Sequence, residues 1–174
     1  MLNSFTRIKP EDIQDNIFKL IGKDWMLITA GNLQRYNTMT ASWGFMGILW
    51  NKPIAVCFIR PQRFTLEFVE KSPYYTLSFF SDEYHKALQF CGDNSGRDHD
   101  KAKETGLIPI RTSLNNITFS QARLVLECKK LYSGSIKEEN FVMKELINKN
   151  YPQKDFHRYF FGEVINSYLK PSKM

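Results

Sequence analysis

The sequence predicts a mainly β fold, an antiparallel barrel with flanking helices, in a single domain over residues 1–174. Three observations lead there. Six segments carry strand signals: Trp25–Thr29, Tyr36–Thr40, Ile54–Arg60, Tyr75–Phe80, Arg123–Leu131 and Arg158–Tyr168. The helical stretches between them are short, without the repeated long crossovers that parallel strands require. Neither G-x-G-x-x-G nor a Walker-type loop occurs, which argues against a doubly wound nucleotide fold.

The elements follow in order. A first helix is expected from Pro10 to Gly22: the proline suits a first turn, Glu11 and Asp12 face the positive end of the dipole, and the glycine ends it. Ile13, Ile17, Leu20 and Ile21 form its apolar stripe. Gly31-Asn32 reads as the turn between the first two strands. The run Ile54-Ala55-Val56-Cys57-Phe58-Ile59 is a core strand, and short helices are expected at Leu66–Lys71, Glu83–Cys91 and Asp98–Glu104. In Arg123–Leu131, Leu124, Leu126 and Cys128 alternate with mostly polar neighbours, the period of a half-buried strand. A helix at Asn140–Asn148 precedes the last strand.

Bulk properties exclude several classes. With 174 residues, 43% hydrophobic and 14% aromatic, the chain is large enough to bury a core and is not globally disordered. No apolar run is long enough to cross a bilayer, and Met1-Leu2-Asn3-Ser4-Phe5 lacks an export pattern, so the cytoplasm and no membrane are expected. Three cysteines, Cys57, Cys91 and Cys128, are an odd and widely spaced set that fits reduced thiols better than a metal site. The net charge of +6 favours anionic partners. Its cations are scattered among acids, so a single-stranded nucleic-acid binder is a remote reading and phosphate-bearing small molecules fit better.

Chemistry concentrates in two places. Asn37-Thr38-Met39-Thr40-Ala41-Ser42-Trp43-Gly44, followed by Leu49-Trp50-Asn51-Lys52-Pro53, mixes hydroxyls, amides, small residues and tryptophans. Such a mixture suits a flat, polar-edged aromatic ring. At spacing two, Thr38, Thr40 and Ser42 share one face of an extended strand, while Asn37 and Met39 take the other. The second place is basic. In Ile59-Arg60-Pro61-Gln62-Arg63-Phe64-Thr65, Thr65 is expected to cap a helix whose N-terminus, with the forks of Arg60 and Arg63, would receive a phosphate. Phe64 and Val69 are placed for a hydrophobic staple. The loop Gly92–Lys101 adds Ser95, Arg97 and Lys101, with glycines that permit unusual backbone angles. His157, ahead of Phe160-Phe161-Gly162, is the histidine to test for function; His85 and His99 read as surface residues.

Taken in order, NTMTASW (37–43), LWNKP (49–53), IRPQRFT (59–65), SGRDHDK (95–101), ETGL (104–107) and HRYFFGEV (157–164) resemble the flavin reductase-like, FMN-binding split-barrel family, its flavoredoxin-like branch in particular. The resemblance implies a six-stranded antiparallel split barrel and a homodimer with FMN near the subunit interface. It implies Asn37, Thr38, Thr40, Ala41, Ser42 and Trp43 around the ring and ribityl chain. Arg60, Thr65, Ser95 and Lys101 are implied at the phosphate, with Asn51 a further neighbour and His157 on the nicotinamide side. The implied activity is an FMN-dependent oxidoreductase fed by NADH, NADPH or a redox protein; an FMN electron carrier without its own turnover is the alternative. Residues 133–155 match no motif of that family.

Overall fold

A computed structural model describes residues 2–171. Ten strands and five helices follow in chain order: β1 (Thr6–Ile8), α1 (Ile17–Gly22), β2 (Met26–Asn32), β3 (Arg35–Ala41), β4 (Gly44–Leu49), β5 (Lys52–Ile59), α2 (Thr65–Lys71) and β6 (Tyr74–Phe79). Then come α3 (His85–Asp93), α4 (Lys101–Thr105), β7 (Pro109–Arg111), β8 (Ile117–Phe119), β9 (Leu124–Ser135), α5 (Glu145–Asn150) and β10 (Arg158–Leu169). All six expected strands are present, as β2, β3, β5, β6, β9 and β10. The fold is the mainly β arrangement with flanking helices that the sequence predicted.

The main sheet is antiparallel with order β3-β2-β6-β9-β10-β5-β4, and β1 adds to β10. Its two ends, β3 and β4, are consecutive in the chain and joined only by Ser42 and Trp43. So short a link forces the sheet to curl until its edges meet, which makes an open barrel split at one seam. Bulges between Phe161 and Gly162 and between Val164 and Asn166 bend the long β10 against β9. At the first bulge Gly162 is required, because a Cβ would lie 2.3 Å from the Tyr75 hydroxyl. That buried hydroxyl donates to Ala55 O at 3.2 Å and Phe160 O at 3.3 Å, tying three strands inside the barrel. Around it pack Met26, Ile28, Leu77, Leu126 and Phe160, all close to fully buried.

Several expectations are corrected. The N-terminal helix is two pieces, a single 3-10 turn at Pro10–Asp12 and then α1, because the Asn16 side chain accepts from Lys19 N at 3.1 Å and starts a new helix there. Leu20 and Ile21 are buried as expected, with Ile13 and Ile17 packed against the same core. β2 continues through Gly31 and Asn32, and the turn comes at the next residues. The helix expected from Asp98 begins at Lys101, since Asp100 caps it by accepting from Lys103 N at 3.2 Å. The helix expected at Asn140–Asn148 is a 3-10 turn at Glu138–Asn140 followed by α5.

Four strands had no clear pattern in the sequence. β4 is an edge strand with apolar residues on both faces, Met46 packed on the core and Phe45 exposed, so no apolar–polar alternation marks it; β1, β7 and β8 are only three residues long. The β7–β8 hairpin is held by buried Glu127 of β9. Its carboxyl group accepts from Thr112, from Asn116 Nδ2 at 2.7 Å and from Asn166 Nδ2 at 2.7 Å, so donors of the hairpin turn and of β10 converge on one side chain.

Candidate functional site

Where the seam passes the C-terminal end of β5 it opens into a cleft with two lobes. The first, about 230 Å³, lies beneath the Ser42-Trp43 link and is lined by Thr40, Ala41, Ser42, Trp43, Phe58 and His157, among others. The second, about 360 Å³, is lined by Asn37 of β3, Thr65 of α2, Ser95 and Gly96 of the loop after α3, and Lys101 of α4. Met39, Arg60 and Arg63 belong to both, so the lobes are continuous. A larger groove of about 490 Å³ lies on the far side of α2, against Phe68 and Leu114, and gathers none of the predicted site residues.

The second lobe is electropositive. Arg60, Arg63 and Lys101 line it against the single carboxylate of Asp93. Lys101 is buried, and its ammonium donates to Thr38 O at 2.8 Å and Cys91 O at 2.7 Å. Burial pushes its pKa down to about 8; the Arg63 charge lowers it further, and neighbouring Cys91 works the other way. Arg63 is lowered too, first by burial and then by Arg60. Cations that depress one another around a cavity create a site where an anion is favoured.

Each donor has a defined commitment. Both terminal nitrogens of Arg60 are engaged, one with Asp155 and the other with Asn150 O at 2.8 Å, and its guanidinium sits 5.2 Å over the Tyr151 ring. It therefore presents a fixed charge to the cleft rather than the open fork expected of it. The Arg63 guanidinium donates to Gly92 O, its one side-chain hydrogen bond among the described residues. Thr65 is the first residue of α2 and not its cap; Phe64 holds the cap position without a side-chain bond. The Thr65 hydroxyl instead accepts from Asn37 Nδ2 at 2.8 Å. The expected staple is replaced by Phe64 packed edge-on against Phe68 at 5.1 Å, with Arg97 over the same ring.

Gly96 explains how the loop closes over this lobe. A Cβ there would lie 1.9 Å from Asn37 Oδ1, so only glycine lets the loop rest on the Asn37–Thr65 pair. Ser95 caps the turn that follows, its Oγ accepting from Arg97 N at 3.2 Å.

β3 alternates with period two as expected, but the hydroxyls of its Thr38 and Thr40 are committed within the protein. The Thr38 hydroxyl pairs with Thr29 Oγ1 at 2.8 Å inside the protein, and Thr40 Oγ1 donates to Leu88 O at 2.5 Å. These two hydroxyls are turned to the protein's own acceptors. Asn37, Met39 and Ala41, from the other face of the strand, line the cleft beside Ser42 and Trp43. Asn51 does not line the cleft. It sits at positive φ in the β4–β5 turn, at the opposite end of β5 from Arg60. The residues missed by the sequence reading were Met39, Phe58, Tyr151 and Asp155; their long-range contacts leave no local signal.

At the ring end, His157 is buried beside Trp43, whose ring lies 4.9 Å away at a tilt. Its Nδ1 is hydrogen-bonded to the Tyr151 hydroxyl at 2.9 Å. Burial, then the Arg60 charge, push its pKa down to about 4, against the opposing effect of Asp155. The ring is therefore neutral at ordinary pH.

A split antiparallel barrel with a cationic lobe joined to a tryptophan-lipped lobe defines a class: an open barrel built to hold a flat molecule with an anionic tail. The chain belongs to the flavin reductase like domain family, whose model matches residues 19–173. Solved structures of the same fold agree. An FMN-binding domain of flavin reductases-like enzyme from Shewanella baltica is 18% identical, with 97% of this chain and 78% of that chain covered and a TM-score of 0.68. Flavoredoxin from Methanosarcina acetivorans is 18% identical, with 96% and 78% covered and a TM-score of 0.67. The NADH:FAD oxidoreductase of Streptomyces globisporus is 16% identical, with 87% and 77% covered and a TM-score of 0.64. At these identities the likeness is one of fold. No curated protein sequence matches the chain at a significant level.

Proposed function

We propose that this chain is an FMN-binding oxidoreductase of flavin reductase type, which takes electrons from NADH, NADPH or a redox protein and passes them on to an acceptor. The two-lobed cleft carries the reading. A cationic lobe continues, through Met39, Arg60 and Arg63, into a lobe lipped by Trp43 and His157. FMN has the same order of parts, a dianionic phosphate, a polyol and a ring. Family membership and the names of the structural neighbours support the choice.

In this reading Lys101, Arg63, Ser95 and Thr65 surround the phosphate, and Arg60 adds its fixed charge. Asn37, Thr40, Ala41, Ser42 and Trp43 run along the ribityl chain and ring; Thr38 acts through its carbonyl, which steadies Lys101. Bound FMN supplies the electron and hydride chemistry. The protein orients the ring, excludes water from one face and fixes the charge around it. His157 is the candidate for a side chain touching the reacting ring. With its pKa near 4 it serves as a neutral hydrogen-bonding group, held by Tyr151, and not as a general acid.

The active form is a homodimer. Exposed Phe45 on β4 and Trp50 in the turn after it, continuous with Tyr132 and Phe161, form an apolar face at the end of the molecule that carries Asn51. Asn51 reaches a cleft only across such an interface. We place the protein in the cytoplasm, supported by three buried, unpaired cysteines; among the described residues no helix is long and apolar enough to cross a membrane.

The test has two stages. Purified protein should be yellow and release FMN on denaturation; colourless protein that takes up no FMN refutes the reading. Rapid mixing of the loaded protein with NADH and with NADPH then separates enzyme from carrier. Fast bleaching by either supports the enzyme, and none by both supports the carrier.

A further inference from the structure

Beside the ring end lies a second groove of about 490 Å³. Its inner wall is Trp43, Phe58 and Tyr159 of the barrel, and its outer wall is Phe141, Leu146 and Tyr151. Trp43 and Phe58 also line the ring lobe of the cleft, so a molecule in the groove is separated from that lobe only by the thickness of those side chains. The outer wall comes from the segment 133–155, the stretch with no recognisable motif.

The groove is built for a flat apolar body. Phe58 and Tyr159 meet edge-on at 6.2 Å, and Phe141 and Tyr151 meet edge-on at 6.0 Å on the other side. Gly134 is needed for this shape, because a Cβ there would lie 2.3 Å from the Tyr159 hydroxyl. Tyr151 is fixed from behind by His157 and by the Arg60 guanidinium, so the outer wall is anchored to the cleft itself. Charge is nearly absent. Lys137 is the one charged lining residue, and its ammonium lies 3.9 Å from the Glu139 carboxylate.

We infer that this groove is a subsite for the second substrate, and that the substrate it selects is an uncharged planar aromatic molecule of one or two rings. The inference rests on the FMN reading above. A cavity of this size holds such a molecule with most of its surface covered. Its aromatic walls favour stacked and edge-to-face contacts. Charge disfavours a second polyanion: Lys137, itself facing Glu139, is the one cation that could meet the diphosphate of a dinucleotide. Leu146, Phe141 and Tyr151 are then the residues that set specificity.

The experiment is equilibrium dialysis of FMN-loaded protein with 2-naphthol, and with naphthalene-2,6-disulfonate as its charged counterpart. Saturable binding of 2-naphthol is expected, with the disulfonate weaker by at least about tenfold. Leu146→Glu, at a surface position of α5, is expected to weaken 2-naphthol by a similar factor while the FMN dissociation constant stays the same. That constant also reports that the variant is folded. Equal affinity for both probes, no saturable naphthol binding, or an indifferent Leu146→Glu overturns the inference, as does naphthol binding that fades as protein concentration drives a second copy onto the groove. Failure to load FMN is a separate result: it removes the FMN reading, and the same dialysis on the FMN-free protein then decides whether the groove binds the aromatic probe.

Discussion

Lys101→Met removes a charge and keeps the aliphatic stem, so it isolates what the ammonium does in the cationic lobe. Two of its three N–H bonds go to Thr38 O at 2.8 Å and Cys91 O at 2.7 Å, which leaves one to reach into the cleft. A hydrogen bond between an ammonium and a phosphate is worth about 1.5–3 kcal/mol, or roughly 10- to 150-fold in the dissociation constant of FMN. The second signature is in pH. Because burial lowers the pKa to about 8, the amine of the FMN-free protein loses its proton through that region. A bound phosphate dianion holds the proton on. Above pH 8, binding therefore takes up a proton, and affinity should fall by about tenfold per pH unit until the pKa of the complex is reached.

Stability moves the other way. The folded pKa lies below the unfolded value of 10.5, so the unfolded chain binds more protons between the two. The buried ammonium opposes folding fully below pH 8, and that opposition fades as pH rises toward 10.5. Quenching of FMN fluorescence, titrated from about pH 7 to 9.5, reads the affinity; urea denaturation of the FMN-free protein reads the stability. Equal dissociation constants and equal pH slopes in the wild type and Lys101→Met would refute the phosphate role.

Two further outcomes follow from buried polar groups. Glu127→Ala removes the acceptor shared by Thr112, Asn116 and Asn166, and should lower stability by about 2–4 kcal/mol in urea denaturation; a loss below about 0.5 kcal/mol would show that water replaces the carboxyl group. His157 has a folded pKa of about 4 against 6.5 unfolded, so its contribution is complete above pH 6.5 and is lost as pH falls through 4. Up to about 3 kcal/mol should disappear across that window, and His157→Gln should flatten the slope. An NMR titration of the imidazole placing its pKa near 6.5 would contradict the burial argument.

How much of this was legible beforehand varies with the range of the interactions. Strands β2, β5, β6, β9 and β10 announced themselves because each buries enough apolar residues to leave a pattern. β4 did not, since its residues are apolar on the core side, at Met46, and on the exposed side, at Phe45, alike. The split of the N-terminal helix turned on one local bond, from Lys19 N to Asn16, that competes with proline and acidic signals of similar strength. Among the site residues, Arg60, Arg63, Ser95 and Lys101 do converge on one lobe. The hydroxyl face of β3 was misjudged because Thr38 and Thr40 find acceptors on β2 and α3, elements whose positions no local pattern encodes.

The sequence by itself determined the β class, the basic loops around 60–65 and 92–101, and the family likeness, because periodicity, charge and motif order are properties of neighbours along the chain. Tertiary structure alone decided the geometry. The Ser42-Trp43 link brings the sheet's edges together, Arg60 is held by Asp155 from 95 residues away, and the segment without a motif becomes the outer wall of an aromatic groove. Those outcomes depend on which distant groups must satisfy one another once water is excluded, and that is settled only when the barrel closes.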